Sequence, residues 1–293
     1  YEIYQCDWSS DVCSSDLNFN GTSGDNCLHN DIKKIVIDIS LLAQQATIRI
    51  CTNGSLRTPV WWEDFGSSTK NTNVEVVFGI DGLSDTHSLY RVGTNWDKII
   101  ENASAFIAGG GRAIWQMILF DHNLHQIEQC RTLANDLGFA SFYLRSENRF
   151  KPGQQEQTVF WQGQATHTIK PPNVDKLKEI AQNYNIFQNW GGSTTKTHKE
   201  IHCRSIDKKW LAIYADGTVW PCCFLMGYHK AKHLKQFNLI NYHFEKILSI
   251  DFNQINLYNN KLEDIVASDL WQKRYPQSFK ETPNLVCTYT CSK

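Results

Sequence analysis

The chain has 293 residues, 41% hydrophobic and 20% charged, with 29 basic and 30 acidic side chains and a formal net charge of -1. That composition suits one large or two small globular domains of about 100 to 200 residues and excludes a disordered tail. The charge balance leaves no dominant surface for nucleic acid or membrane, and no apolar run reaches the ~18 residues of a spanning helix. The expected partner is a small molecule or a peptide. The first long apolar segment, Ile35 to Leu42, is interrupted by Asp38 and Ser40, so no secretory signal is read, and the ten cysteines point to a reducing, cytoplasmic setting. There, clustered thiols serve metals or catalysis more often than disulfides.

Residues 1–17 have neither helical nor strand periodicity. From Asp7 to Leu17 they resemble a reading frame through a sequencing-library adapter, and the alternative is a natural leader with Cys6 and Cys13 as free thiols. The segment is set aside from the fold. From Asn18 to Phe150 strands and helices alternate. A Gly-rich turn, Gly21 to Asp25, precedes a helix with the apolar face Ile32, Ile35, Val36, Ile39 and Leu42. A strand over Thr47 to Cys51 ends in Thr52-Asn53-Gly54. Thr58-Pro59 caps and opens a helix carrying Trp61, Trp62 and Phe65, where the tryptophans are read as packing. Val74 to Ile80 reads as a strand buried on both faces and ends in Asp81-Gly82. Thr94 with Asp97 predicts a capping box for the helix bearing Trp96, Ile99, Ile100, Ala103 and Phe106. The strand Ala113 to Phe120, a helix from about Asn123 to Leu137 stopped by Gly138, and the strand Phe139 to Leu144 complete the series.

This rhythm predicts an α/β fold with a parallel sheet or barrel, whose strand C-termini share one ligand-binding rim. Asp81, Gln116 and the segment Asp121 to Asn123 fall on that rim. Past Phe150, Lys151 to Lys170 reads as a linker or exposed hairpin, followed by Pro171-Pro172 and a short helix to about Tyr184. A second module starts near Ile201 with a hairpin over Trp210 to Phe224, marked by Asp216-Gly217, and continues as a mostly helical tail. The expected boundaries are therefore 1–17, 18–150, 151–200 and 201–293.

Five of the cysteines, Cys203, Cys222, Cys223, Cys287 and Cys291, gather in the last third. Cys27, Cys51 and Cys130 are scattered and read as small buried side chains. The hairpin would carry Cys203 and Cys222 to opposite strands, and the Cys-x-x-x-Cys of the terminal loop would fold back to complete four thiolates for zinc or an iron-sulfur cluster. Cys223 is the alternate to Cys222.

Thirteen residues separate Cys203 from Gly217 and four separate Gly217 from Cys222, in the text Ala-Asp-Gly-Thr-Val-Trp-Pro-Cys-Cys over residues 215–223. This pattern resembles the opening of the SPASM or twitch domain of the radical S-adenosylmethionine (radical SAM) superfamily, and the resemblance runs over nearly all of Asn18 to Lys293. It implies a partial (β/α) barrel lacking its first strand, followed by a small α+β cysteine-rich domain with a β-hairpin. It implies an auxiliary 4Fe-4S cluster on Cys203, Cys222, Cys287 and Cys291. It places S-adenosylmethionine against Gly21, Gly24, Asp25, Asn53, Asp81, Arg91 and Gln116, with Thr86-His87 and Tyr90-Arg91 as polar groups beside the ribose and the methionine carboxylate. The full-length parent would use a second 4Fe-4S cluster to cleave S-adenosylmethionine to a 5'-deoxyadenosyl radical and modify a peptide or small molecule, with electrons from a flavodoxin or ferredoxin.

The family's Cys-x-x-x-Cys-x-x-Cys loop is absent from this sequence, so the expectation is a truncated, inactive chain. Two other readings remain open: a non-catalytic protein with a structural zinc site made of four cysteines, and an α/β carbohydrate- or nucleotide-binding enzyme with incidental cysteines.

Overall fold

The computed structural model describes residues 3–4, 17–21, 24–146, 150, 154–184, 186–187, 201–207, 211–214, 216–222, 225–226, 250–281, 283, 287–288 and 291. Cys6, Cys13 and Cys223 lie outside these residues. The chain divides into two compact units, residues 23–191 and residues 1–22 with 192–293. The first two strands are β1 (Ile3–Tyr4) and β2 (Leu17–Phe19), the latter burying Phe19.

The 23–191 unit contains a parallel sheet. After helix α1 (Ile32–Leu42) come β3 (Ile48–Thr52), α2 (Pro59–Thr69), β4 (Val74–Gly79), the short α3 (His87–Tyr90) and α4 (Trp96–Ala108). These lead to β5 (Arg112–Leu119), α5 (Ile127–Leu137) and β6 (Ser141–Ser146). The antiparallel hairpin β7 (Gln157–Trp161) and β8 (Gln164–Ile169), helix α6 (Val174–Asn183) and β9 (Ile186–Phe187) follow. Strands β3, β4, β5, β6 and β9 lie side by side in that order, all parallel, with β3 to β6 joined through α-helices. This is the predicted α/β architecture.

Alternation in β3 points Ile48, Ile50 and Thr52 to a buried face, while the central β4 is buried along its whole length. The buried face packs on an aromatic cluster: Trp62 lies 5.2 Å from Phe78 and 5.9 Å from Phe106, and Trp115 lies 5.3 Å from Phe139. Trp62 is fully buried, as the packing reading expected.

On the opposite face, Arg49, Glu75 and Arg112 stand in register on three neighbouring strands. Glu75 accepts from Arg49 at 2.6 Å and from Arg112 at 2.8 Å. Burial alone would raise the Glu75 carboxyl, but the two guanidinium groups hold it below its ordinary range. The triad lies at or near the N-terminal ends of its strands, away from the rim, and ties the sheet together.

Two local expectations are corrected. Helix α4 is capped by Asn95, whose side chain accepts from Lys98 N at 3.1 Å, while the Thr94 hydroxyl donates back to Arg91 O. Asn95 has the extended backbone of a cap, so Thr94 stands one residue too early. In α1 the buried stripe is Ile32, Val36 and Ser40, and Leu42 at the frayed end is 87% exposed.

In the other unit, α7 (Arg204–Asp207) precedes β10 (Ala212–Ile213) and β11 (Val219–Trp220), which pair antiparallel. β1 pairs with the outer edge of β10. Gly217 turns the hairpin at φ +80, where a side chain would also meet Asn256 and Tyr258, so glycine is required there. Helix α8 (Leu262–Ala267), a π-helical turn (Leu270–Arg274) and α9 (Tyr275–Glu281) pack onto the hairpin around Trp220, Ile255, Ile265 and Trp271. Among the described residues, no helix is long and apolar enough to cross a membrane.

Candidate functional site

The strand ends of the 23–191 unit converge as the βα rhythm requires. Gly24 has positive φ, at 149, and lets the chain turn into Asp25. The Asp25 carboxylate accepts from Cys27 N at 2.9 Å, from the Thr52 hydroxyl at 2.9 Å and from Asn53 N at 2.7 Å, clamping the turn to the end of β3. Asn53 accepts from Ser55 N in turn. Gly21, at φ 62, lies in the residue 1–22 segment.

Asp81 is fully buried. Its carboxylate accepts from Arg91 Nε at 2.7 Å and from Ile118 N at 2.7 Å. A buried charge held by a guanidinium and an amide is a rigid element rather than a solvated one. Arg91 is bent back over β4, where its Nη2 occupies the space a side chain on Gly79 would fill, 2.5 Å from the ideal Cβ position, and its guanidinium lies 5.4 Å from the Tyr90 ring centroid. Burial opposes the Arg91 charge, but Asp81 outweighs it and raises its pKa.

Gly79, Gln116 and Tyr143 are register neighbours on β4, β5 and β6, and Gln116 accepts from Arg145 at 3.4 Å. The structure thus joins Asp25 with Asn53, Asp81 with Arg91 and Gln116 with Arg145. Arg145 and Tyr143 went unmarked, although the polar alternation of β6 was there to read.

The expectation that Thr86 and His87 face a ligand is corrected. His87 is fully buried and its Nδ1 accepts from Asp81 N at 3.0 Å, while the Thr86 hydroxyl bonds Gln126. Burial pushes the imidazole down to about 4, so it stays neutral near pH 7.

In the C-terminal part, Cys203 and Cys287 are buried in the core, and half-buried Cys222 packs against it. The Tyr275 hydroxyl lies 3.8 Å from Cys203 Sγ and 3.9 Å from Cys287 Sγ, so the sum of those distances bounds the separation of the sulfurs. Burial pushes the Cys287 thiol up to about 12, and Cys203 and Cys291 add to that effect. His202 N donates to Cys291 O at 2.9 Å, tying the terminal segment beside Cys203.

All four described cysteines of the C-terminal set therefore gather in one region, though by a different route from the one predicted. Cys203 is not on a hairpin strand: its carbonyl accepts from Ile206 N and Asp207 N and opens α7. Cys222 follows β11 and accepts from Met226 N. Among the described residues, no three His, Cys, Asp or Glu side chains are close enough to hold a single metal ion.

The chemistry of the donor set suits an iron-sulfur cluster: soft sulfur ligands, two of them meeting on one tyrosine hydroxyl, in an apolar shell of Trp220, Leu225, Met226 and Trp271. In the 23–191 unit, Cys27 and Cys130 are buried and Cys51 is half-buried, and burial pushes the Cys130 thiol up to about 12.

Comparison with known proteins agrees with this geometry. The family model of SPASM, an iron-sulfur cluster-binding domain, matches residues 203–292. The chain superposes on the crystal structure of Streptococcus suis SuiB with a TM-score of 0.55 at 15% identity, covering 87% of this chain and 56% of that one. It also matches SuiB bound to precursor peptide SuiA, with a TM-score of 0.55, 13% identity and coverage of 94% and 60%. A third match is native anSMEcpe with bound AdoMet and Cp18Cys peptide, with a TM-score of 0.50, 12% identity and coverage of 94% and 75%. No curated protein sequence matches the chain. Residues 203–292 thus match the SPASM iron-sulfur cluster-binding domain, and the fold of the chain is similar to that of SuiB. The chain spans 56% to 66% of the length of the SuiB structures it matches.

Proposed function

We propose that the chain binds an auxiliary 4Fe-4S cluster through Cys203, Cys222, Cys287 and Cys291, with Cys223 spare, and belongs to an enzyme that modifies a peptide. The observation that carries this reading is the meeting of Cys203 and Cys287 on one buried tyrosine hydroxyl, with Cys291 fixed alongside. A cubane takes its four thiolates on four separate irons and suits a looser set of sulfurs than one zinc ion, which needs all four about 2.3 Å away. Bound peptides in SuiB and anSMEcpe support the substrate class.

S-adenosylmethionine is assigned to the strand ends, as the AdoMet of anSMEcpe and the S-adenosylmethionine of SuiB suggest. Bound beside the second, reduced 4Fe-4S cluster of the full-length parent, it would take up one electron and supply a 5'-deoxyadenosyl radical, with methionine as the other product. Asp25 holds the Gly24 turn against Asn53 so that backbone can approach the ligand closely. Asp81 orients Arg91, whose Nη groups are the donors for the methionine carboxylate. Gln116 and Arg145 line the same sheet face. Electrons would come from a flavodoxin or ferredoxin. The sequence holds no Cys-x-x-x-Cys-x-x-Cys loop, so this chain alone should form no 5'-deoxyadenosine.

The test is anaerobic reconstitution with iron and sulfide, followed by metal analysis and equilibrium dialysis with labelled S-adenosylmethionine. About four irons and four sulfides per chain, with saturable S-adenosylmethionine binding lost in Arg91→Leu, is the expected result. One tightly held zinc with no cluster would instead favour the reading of a structural zinc site on the same cysteines.

A further inference from the structure

Tyr275 is 2% exposed, and among the described residues its hydroxyl meets two sulfurs and no oxygen or nitrogen. That is an unusual end for a buried hydroxyl. A thiol sulfur is a weak acceptor, and leaving a buried hydroxyl without a good partner is destabilising. The position is nonetheless firmly built. The ring makes edge contacts with Trp271 at 5.8 Å and Phe279 at 4.9 Å, both near perpendicular. Tyr275 follows immediately after the π-helical turn Leu270–Arg274, a local widening that re-aims the side chains after it and is frequent at functional sites. Ser278 donates to its carbonyl and fixes the first turn of α9.

The direction of the hydrogen bond follows from the chemistry. A cysteine sulfur bound to iron carries no hydrogen and is anionic, so it can only accept, and the hydroxyl must be the donor. What is a poor contact to a thiol becomes a charge-assisted one to a ligating thiolate.

We propose that Tyr275 donates a hydrogen bond to a ligand sulfur of the cluster, from Cys203 or Cys287, and thereby raises the cluster's reduction potential. This rests on the cluster assignment made above. Donors to the sulfurs of an iron-sulfur cluster stabilise its reduced, more negative state. Tyr275 is a positioning and tuning residue that acts through the ligand.

The variant Tyr275→Phe removes one oxygen atom and keeps the ring. In the anaerobically reconstituted full chain, iron content should equal that of the wild type, while the midpoint potential by spectroelectrochemical titration should shift to a more negative value. An unchanged potential at unchanged iron content overturns the proposal. If Tyr275→Phe holds no cluster, the reduced wild-type protein decides after exchange into D2O. A deuteron coupled to the cluster in its ENDOR spectrum supports the donor, and its absence overturns it. A wild-type chain without iron fails the cluster assignment itself, an outcome read from metal content and distinct from a failure of the tyrosine.

Discussion

The two polar regions of this protein are built in opposite ways. At the strand ends of the 23–191 unit, carboxylates are answered by the chain itself: buried Asp81 by Arg91 and Ile118 N, and half-buried Asp25 by Cys27 N, Thr52 and Asn53 N. Around Tyr275, the partners of a buried hydroxyl among the described residues are two sulfurs. The first region is held in place by its own hydrogen bonds and ion pairs. Under the proposed assignment, an inorganic centre would complete the second and turn weak acceptors into strong ones.

The comparison breaks most visibly at the cysteines. The double variant Cys203→Ser, Cys287→Ser should lose all cluster iron on reconstitution, because two of four ligands are gone from the side where they converge. Circular dichroism should show the parallel-sheet unit unchanged. Retention of most of the iron would mean that the sulfurs act elsewhere.

Next in size is Asp81→Leu. It leaves the Arg91 guanidinium, 26% exposed, without its buried partner, and removal of one member of such a pair costs about 3–5 kcal/mol. Because Arg91 is partly solvated, the low end of that range is expected in urea unfolding. A loss below about 1 kcal/mol would show that the pair does not organise the rim.

His87 supplies a pH signature. Its folded pKa is depressed to about 4, while the unfolded ring titrates near 6.5, so between those values the unfolded state binds the extra proton. Stability should therefore fall as pH drops from about 6.5 towards 4, by a few kcal/mol at most. His87→Asn, which keeps an acceptor for Asp81 N, should flatten that part of the curve in unfolding experiments at several pH values. An unaltered slope would remove His87 as its source.

The smallest effect separates two neighbouring residues. Asn95→Ala should destabilise by about 1 kcal/mol through loss of the α4 cap, whereas Thr94→Ala should cost less. Chemical denaturation of both variants ranks them, and the reverse order would restore the capping box predicted from the sequence.

What was legible in the sequence is what repeats with a period or forces a backbone shape. Apolar runs and period-3.6 patterns marked β3 to β5 and their helices, with β4 read from a near-continuous apolar run; Thr58-Pro59 marked the start of α2, and Asp216-Gly217 marked the hairpin. The cysteine spacing gave the C-terminal domain.

Contacts set by tertiary geometry were not legible. Nothing local announces that Arg91 folds back over Gly79, that His87 accepts from Asp81 N, or that Tyr275 points between two cysteines. Cys203 was misplaced on a strand because its spacing to Gly217 fits a hairpin as well as the helical turn it opens. Asn95 and Thr94 are both good caps, and only the backbone conformation at 95 chooses between them.

Mössbauer spectroscopy of the 57Fe-reconstituted chain, with parallel iron, sulfide and zinc analysis, tests the central claim most directly. The account predicts the quadrupole doublet of a single 4Fe-4S cluster at about four irons per chain, abolished by Cys287→Ser. One zinc per chain with no cluster signal, or a cluster untouched by that substitution, would contradict it.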